Sequence, residues 1–289
     1  MIRNKTTKGY LRTLLANARY EVLPTPSCED VVLEHLPRGF TVTITASPSK
    51  GLAATLDLTE RLRAHGYDAV PHLAARMISG RSELNDISAR LTAAGVRTVF
   101  VPAGDADPPA GDYHASLDLL QDLKELGDPF TDVGITGYPE SHPSIADDLT
   151  VQAMWDKRRV ATQVVSNLTF DPATLQAWLH RMRQRGITLP LLVGIPGPVD
   201  RTKLLLMATK IGVGESTRFL AKHRRTLTRL AAPGGFTGER FLEKTVPALS
   251  APGALVAGLH VFTFNQVAET EKWRRGLLER LAAPDAPAQ

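Results

Sequence analysis

Short apolar, β-prone runs alternate with longer amphipathic stretches along most of this chain, and that alternation leaves few folds open. The runs are Arg19 to Leu23, Thr41 to Thr45, Ala69 to Leu73, Thr98 to Pro102, Asp132 to Thr136, Gln163 to Asn167, Leu189 to Gly194 and Leu259 to Thr263. Between them, Leu52 to His65, Ser82 to Ala94, Ser116 to Leu126 and Ala173 to Arg185 carry apolar residues at helical spacing. Gly66 and Gly95 follow the first two as helix stop signals. Asp171-Pro172 reads as a cap with proline at the first helical position. Eight strands separated by helices, with no long linker, predict an α/β chain folded as a single (β/α)8 TIM barrel over residues 1–282, with 283–289 a disordered tail. The stretch from Arg201 to Ser250 is longer than one helix needs. It reads as two or three extra helices after the seventh strand, interrupted at Gly212-Val213-Gly214 and Pro233-Gly234-Gly235. A doubly wound sheet is the alternative fold. Such a sheet usually places a phosphate-binding glycine fingerprint after its first strand, where this chain has Leu23-Pro24-Thr25-Pro26.

Composition narrows the function classes. At 289 residues the chain can bury one large core, and 43% hydrophobic with 22% charged residues is ordinary for a globular protein. The formal charge is only +4, so the basic clusters Lys157-Arg158-Arg159 and Lys222-His223-Arg224-Arg225 read as solvated helix faces, and no nucleic-acid partner is expected. A lone Cys28 gives neither a disulfide framework nor a cysteine metal site and fits a reducing cytoplasm. The first residues lack the apolar core of a signal peptide, and no run has the length of a membrane span. The expected location is cytoplasmic; oligomeric state is left open.

The strand ends carry the chemistry. In Val133-Gly134-Ile135-Thr136-Gly137-Tyr138-Pro139-Glu140-Ser141-His142-Pro143, a β-prone run stops at Gly137 and presents a phenol, a carboxylate and an imidazole between two prolines. The other strand ends add Glu21, Thr43 and Thr45, His72 with Arg76, Asp105, Asn167, and Thr263 with Asn265. In a barrel this C-terminal rim is the active face. There is no nucleophile elbow and no metal-ligand spacing of histidines, so neither covalent catalysis nor a metal is indicated. Glu21, between Tyr20 and Val22, is either a partly desolvated general acid or an edge-strand glutamate facing water. His72 after Pro71 is either a site residue or a core histidine, and Asp105 after Gly104 either a ligand or a turn former.

Taken in order, these pieces resemble the methylenetetrahydrofolate reductases. The matching segments are Tyr20-Glu21-Val22-Leu23-Pro24, Thr43-Ile44-Thr45, Pro71-His72-Leu73, Gly104-Asp105, Gly137-Tyr138-Pro139-Glu140-Ser141-His142-Pro143, Phe170-Asp171, Gly194-Ile195-Pro196 and Leu259-His260-Val261-Phe262-Thr263-Phe264-Asn265. The resemblance implies a (β/α)8 barrel that reduces 5,10-methylenetetrahydrofolate to 5-methyltetrahydrofolate with NADH or NADPH, within the one-carbon metabolism that feeds methionine synthesis. It implies Glu21 as the acid that opens the five-membered ring, and Asp105 beside the folate with a catalytic role. It implies Thr45, Asn167 and Gln266 as further substrate contacts. His72, Gly104, Tyr138 and His142 match cofactor-binding positions.

The departures concern the flavin. The family's usual Arg-Gly-Asp is Ala103-Gly104-Asp105 here. Its flavin-diphosphate lysine and glycine correspond to Asp156 and Val160, and the arginine usual after the closing asparagine is Gln266. FAD is therefore expected to bind weakly or not at all, with hydride passing straight from the nicotinamide. An FAD-dependent reductase, its diphosphate held by Lys157, Arg158 or Arg159, is the alternative. A folate-binding one-carbon transferase without redox chemistry is another, and a binding protein descended from such a barrel a further one.

Overall fold

A computed structural model describes residues 5–142, 145–198 and 238–282. The breaks expected at Gly212-Val213-Gly214 and Pro233-Gly234-Gly235, the cluster at Lys222, Pro143 and the tail 283–289 lie outside those residues. Helix α1 (Lys5–Ala16) precedes β1 (Arg19–Val22), α2 (Cys28–His35), β2 (Thr41–Ile44), α3 (Gly51–Ala64), β3 (Asp68–Pro71) and α4 (Arg81–Ala93). There follow β4 (Thr98–Phe100), α5 (Ser116–Glu125), β5 (Asp132–Gly137), α6 (Asp147–Lys157), β6 (Gln163–Ser166), α7 (Pro172–Gln184) and β7 (Leu191–Pro196). After the undescribed stretch come α8 (Gly238–Leu249), β8 (Val256–Phe262) and α9 (Val267–Ala282).

The strands form one parallel sheet in the order β3-β2-β1-β8-β7-β6-β5-β4. Its two ends meet where His72 bridges to Phe100 and the Leu73 N–H donates to the Phe100 carbonyl at 2.8 Å. This is the barrel that the alternating pattern predicts, and the expected strands, with the four helices named between them, appear with ends shifted by at most three residues; of the extra helices expected over Arg201 to Ser250, only Gly238–Leu249 lies within the described residues. The stop glycines behave as read, with φ of +86° at Gly66 and +75° at Gly95. Asp171 caps α7 by accepting from the Ala173 and Thr174 N–H groups.

Alternation along the strands splits the core in two. Tyr20, Val22, Val42, Ile44, Ile135, Val164 and Val193 point outward and join the large cluster beneath the helices. Val70, Phe100, Val165 and Leu192 form a separate cluster that fills the barrel interior. Arg19 and Glu21 on β1, His260 on β8 and His72 just past the end of β3 also face the lumen. Arg19 closes the lower end, where the Asp68 and Asp132 carboxylates act on its guanidinium. Because each helix runs back from the C-terminal rim to the start of the next strand, the C-terminus of α6 lies at the lower end. Of the triplet expected to form a solvated face there, Lys157 is buried instead, while Arg158 is half-buried and Arg159 exposed. Among the described residues, no helix is long and apolar enough to cross a membrane.

Candidate active site

The rim is organised around Glu21. Its carboxylate Oε2 lies 2.9 Å from His260 Nε2 and 3.6 Å from His72 Nε2. The three side chains reach the lumen from β1, β8 and the end of β3, and they are nearly closed off: Glu21 is 14% exposed, His72 9% and His260 2%. The bond to His260 has hydrogen-bond length; the approach of His72 does not. Burial pushes the His72 imidazole down to about 4, against the pull of the Glu21 carboxylate and with help from the His260 ring. His72 is thus neutral at physiological pH. Its ring stands edge-on to Phe100 at 4.7 Å, and its Nε2 has no hydrogen-bond partner.

The two sequence segments at opposite ends of the chain lock together to hold this carboxylate. Thr263 Oγ1 donates to the Glu21 carbonyl at 2.6 Å. Asn265 accepts from the Leu23 N–H at 2.7 Å and donates to the Leu23 carbonyl at 3.0 Å and to Thr25 Oγ1 at 2.9 Å. Phe264 and Asn265 take left-handed backbone (φ +51° and +59°) so that the amide turns back on β1. Thr263 and Asn265 therefore brace the acid rather than face a ligand. His260, in the same segment, was not singled out by its sequence pattern; its register beside β1, with His260 opposite Arg19, brings it onto the lumen face with Glu21.

The remaining candidates ring the mouth. Gly104 has φ +85°, and a Cβ there would lie 2.9 Å from Ala74 Cβ, so only glycine lets the β4 loop pass close over the end of β3. Asp105 follows it, exposed to solvent. The loop is pinned by Arg76, whose Nε donates to the Ala106 carbonyl at 2.7 Å and whose Nη2 meets Asp107 at 3.1 Å. Arg76 is thereby a brace. Tyr138 and His142 pack edge to face at 4.9 Å, and burial together with the Asp105 carboxylate raises the Tyr138 hydroxyl above its ordinary range. Glu140, between them in sequence, accepts from the Phe170 and Asp171 N–H groups at 2.5 and 3.0 Å and ties the β5 loop to the β6 loop. Asn167 is exposed, its Oδ1 accepting from the Leu168 N–H at 2.7 Å. Thr45 is half-buried, its N–H bonded to the Val22 carbonyl at 2.9 Å. Gln266 is buried with its Nε2 unpartnered. The structure thus brings Glu21 beside His72, and sets Tyr138 against His142 within the field of the Asp105 carboxylate. Among the described residues, no group of three His, Cys, Asp or Glu side chains is arranged to hold a metal.

A comparison with known families decides what this barrel is. The family model described as methylenetetrahydrofolate reductase matches residues 29–273. The chain belongs to the methylenetetrahydrofolate reductase family. A "Probable methylenetetrahydrofolate reductase (NADH)" of Oryza sativa subsp. japonica is 26% identical over 224 residues, covering 69% of this chain and 35% of the rice protein. A "Probable methylenetetrahydrofolate reductase (NADPH)" of Caenorhabditis elegans is 27% identical over 138 residues, covering 45% of this chain and 20% of the nematode protein. The chain thus spans between a fifth and about a third of the curated relatives' length. Glu21 and its strand lie just ahead of the matched span, whereas His72, Asp105, His142, Asn167 and His260 fall inside it. Among solved structures, a putative phosphonomutase from Burkholderia cenocepacia J2315 is 12% identical with a TM-score of 0.47, covering 95% of this chain and 99% of that one. An oxaloacetate acetylhydrolase is 14% identical with a TM-score of 0.44, covering 83% and 94%. Likeness at that level says nothing of the chemistry of this reductase-family barrel.

Proposed function

We propose that this protein reduces 5,10-methylenetetrahydrofolate to 5-methyltetrahydrofolate, with NADH or NADPH giving hydride directly to the folate. The observation that carries the reading is the Glu21 carboxylate, nearly buried at the mouth of the barrel and fixed by partners from both ends of the chain. A barrel that only binds folate has no need of a held, desolvated acid. Glu21 gives its proton to the ring nitrogen that leaves. The bond from that nitrogen to the methylene carbon breaks, its electron pair stays on the nitrogen, and an iminium forms at the other nitrogen. Hydride from the dihydronicotinamide then adds to the methylene carbon, and the nicotinamide is oxidised. Stacking donor and acceptor at near-attack distance supplies much of the rate. Asp105 and Asn167, exposed on the loops after β4 and β6, offer a carboxylate and an amide NH2 to the donors and acceptors of the pterin.

The residues present do not fit a flavin diphosphate. Ala103 offers no guanidinium. Asp156 is acidic and accepts from Gln152 Nε2 at 2.8 Å. Of the basic triplet that sequence offered as a substitute, Lys157 is buried and Arg158 is stacked over Trp155 at 3.3 Å. The purified protein is therefore expected to be colourless and to oxidise NADH or NADPH in the presence of methylenetetrahydrofolate without added FAD. Stoichiometric flavin absorbance, or turnover that strictly tracks added FAD, would return the protein to the flavin-dependent reading. No nicotinamide oxidation with folate present would favour the one-carbon transferase. The lone, buried Cys28 goes with a reducing cytoplasm.

The folate grip gives a further expected result. Asp105→Ala and Asn167→Ala each remove one partner of a polar pair with the pterin, a loss of about 1–3 kcal/mol. Folate affinity should fall roughly tenfold to a hundredfold, with little change in melting temperature because both side chains are exposed in the free protein. Lost stability with unchanged affinity would make Asp105 a turn former.

A further inference from the structure

We infer that Glu21 does not hold its catalytic proton alone: the Glu21–His260 pair holds it jointly, and His260 acts as the positioning residue that reloads the carboxyl. The inference rests on the reductase reading above. Reduction of the folate by a nicotinamide consumes one proton per turnover, which goes to the departing ring nitrogen. An ordinary carboxyl, with a pKa of about 4.3, is almost wholly ionised at pH 7 and has no proton to give. A carboxylate sharing one proton with an imidazole, ordinarily near 6.5, keeps it to higher pH, and the titration then belongs to the pair.

The geometry singles out His260 for this task. Its Nε2 is 2.9 Å from Oε2, so a proton crosses between them without movement of either side chain. Its Nδ1 is buried and unpartnered. In most histidines that work beside a carboxylate, a bond at the far nitrogen fixes the tautomer. Among the described residues no partner holds it, and Nε2 can act as donor or as acceptor towards Glu21. Among the described residues, the groups that face the carboxylate are His260 from β8 and His72 from the end of β3; Thr263 bonds the Glu21 backbone carbonyl instead. His72 stands 3.6 Å away, beyond hydrogen-bond reach, so no proton passes directly between it and the carboxylate. Its part is to wall off the pair. The cycle balances: Oε1 of the protonated carboxyl delivers a proton to the leaving nitrogen, the pair is left one proton short, and the next proton enters from solvent before the following turnover.

The test is the pH profile of kcat in the wild type and in His260→Gln, which keeps an N–H donor but cannot titrate. Because the acid must be protonated, the rate falls as pH rises through the pKa of the pair. Loss of His260 should move that fall at least about one pH unit lower, costing about tenfold near neutrality, with the KM for methylenetetrahydrofolate changed less than about threefold. A uniform loss at every pH with an unmoved limb overturns the proposal, since that is what a merely structural histidine gives. A second measurement needs no turnover. The His260 ring, followed by 15N NMR in the ligand-free protein, should titrate at least about one unit lower in Glu21→Gln than in the wild type, for want of the carboxylate. Equal titration in the two proteins overturns the pairing. If the wild type reduces no folate at any pH, the reductase reading fails on its own, and the NMR comparison still decides whether the pair exists.

Discussion

Glu21→Gln is expected to lower kcat for methylenetetrahydrofolate reduction by roughly 10²–10⁴-fold while folate binding changes only a few-fold. The substitution is close to isosteric. Glutamine keeps an oxygen that accepts from His260 Nε2, and the backbone carbonyl still receives the Thr263 hydroxyl at 2.6 Å. What it lacks is an ionisable proton. Without one the leaving nitrogen departs unassisted, and the barrier to iminium formation rises while substrate recognition by the loops around it is untouched. The measurement is steady-state nicotinamide oxidation alongside folate affinity by calorimetry on the same preparation. Turnover within a few-fold of wild type would reduce Glu21 to a polar plug of the lumen. Equal losses in rate and affinity would mean that it binds folate instead of protonating it.

The barrel was legible because its signals are local. Alternating periodicity, the stop glycines Gly66 and Gly95 and the Asp171-Pro172 cap each act within a few residues, and each stands where the pattern put it. The site was legible only where a residue's chemistry is odd for its surroundings, as with a carboxylate inside the apolar strand Tyr20-Glu21-Val22. His260 was not, because its role comes from strand register across the seam between β1 and β8, which joins residues 239 apart. Glu140, Arg76, Thr263 and Asn265 show the converse. Each is a polar residue at a strand end, the sequence signature of a site, and each is spent on backbone groups of a neighbouring loop or strand. A sequence gives the polarity of a rim residue but not whether its partner is a ligand or the next loop.

The largest loss of stability should come from the layer between barrel and helices, at Glu271 of α9. This carboxylate is 3% exposed. It accepts from Tyr20 Oη at 3.0 Å, from Arg274 Nε and Nη2 at 2.8 Å each, and from Arg275 Nε at 2.6 Å. Arg274 in turn donates to the Leu15 carbonyl at 3.2 Å and lies over the Phe40 ring at 5.2 Å. Two paired side chains thus tie α9 to β1, to α1 and to the turn before β2. Removing it in Glu271→Ala leaves the Arg274 guanidinium and the Tyr20 hydroxyl buried without their acceptor. Breaking a buried pair in this one-sided way costs about 3–5 kcal/mol, or on the order of 10 °C in melting temperature for a chain of this size. The pH dependence has a definite sign. Burial alone would push the Glu271 carboxyl up, but its bonds to Arg274, Arg275 and Tyr20 outweigh that and hold it below its ordinary value of 4.5. A carboxyl depressed in the folded state stabilises fully above its unfolded pKa and loses that contribution as pH falls through the folded one. The gap in melting temperature between wild type and Glu271→Ala should therefore be widest above about pH 5 and should shrink on acidification below 4.5. A gap that stays constant from pH 7 to strongly acid solution would assign the loss to the missing side-chain volume and not to the charge.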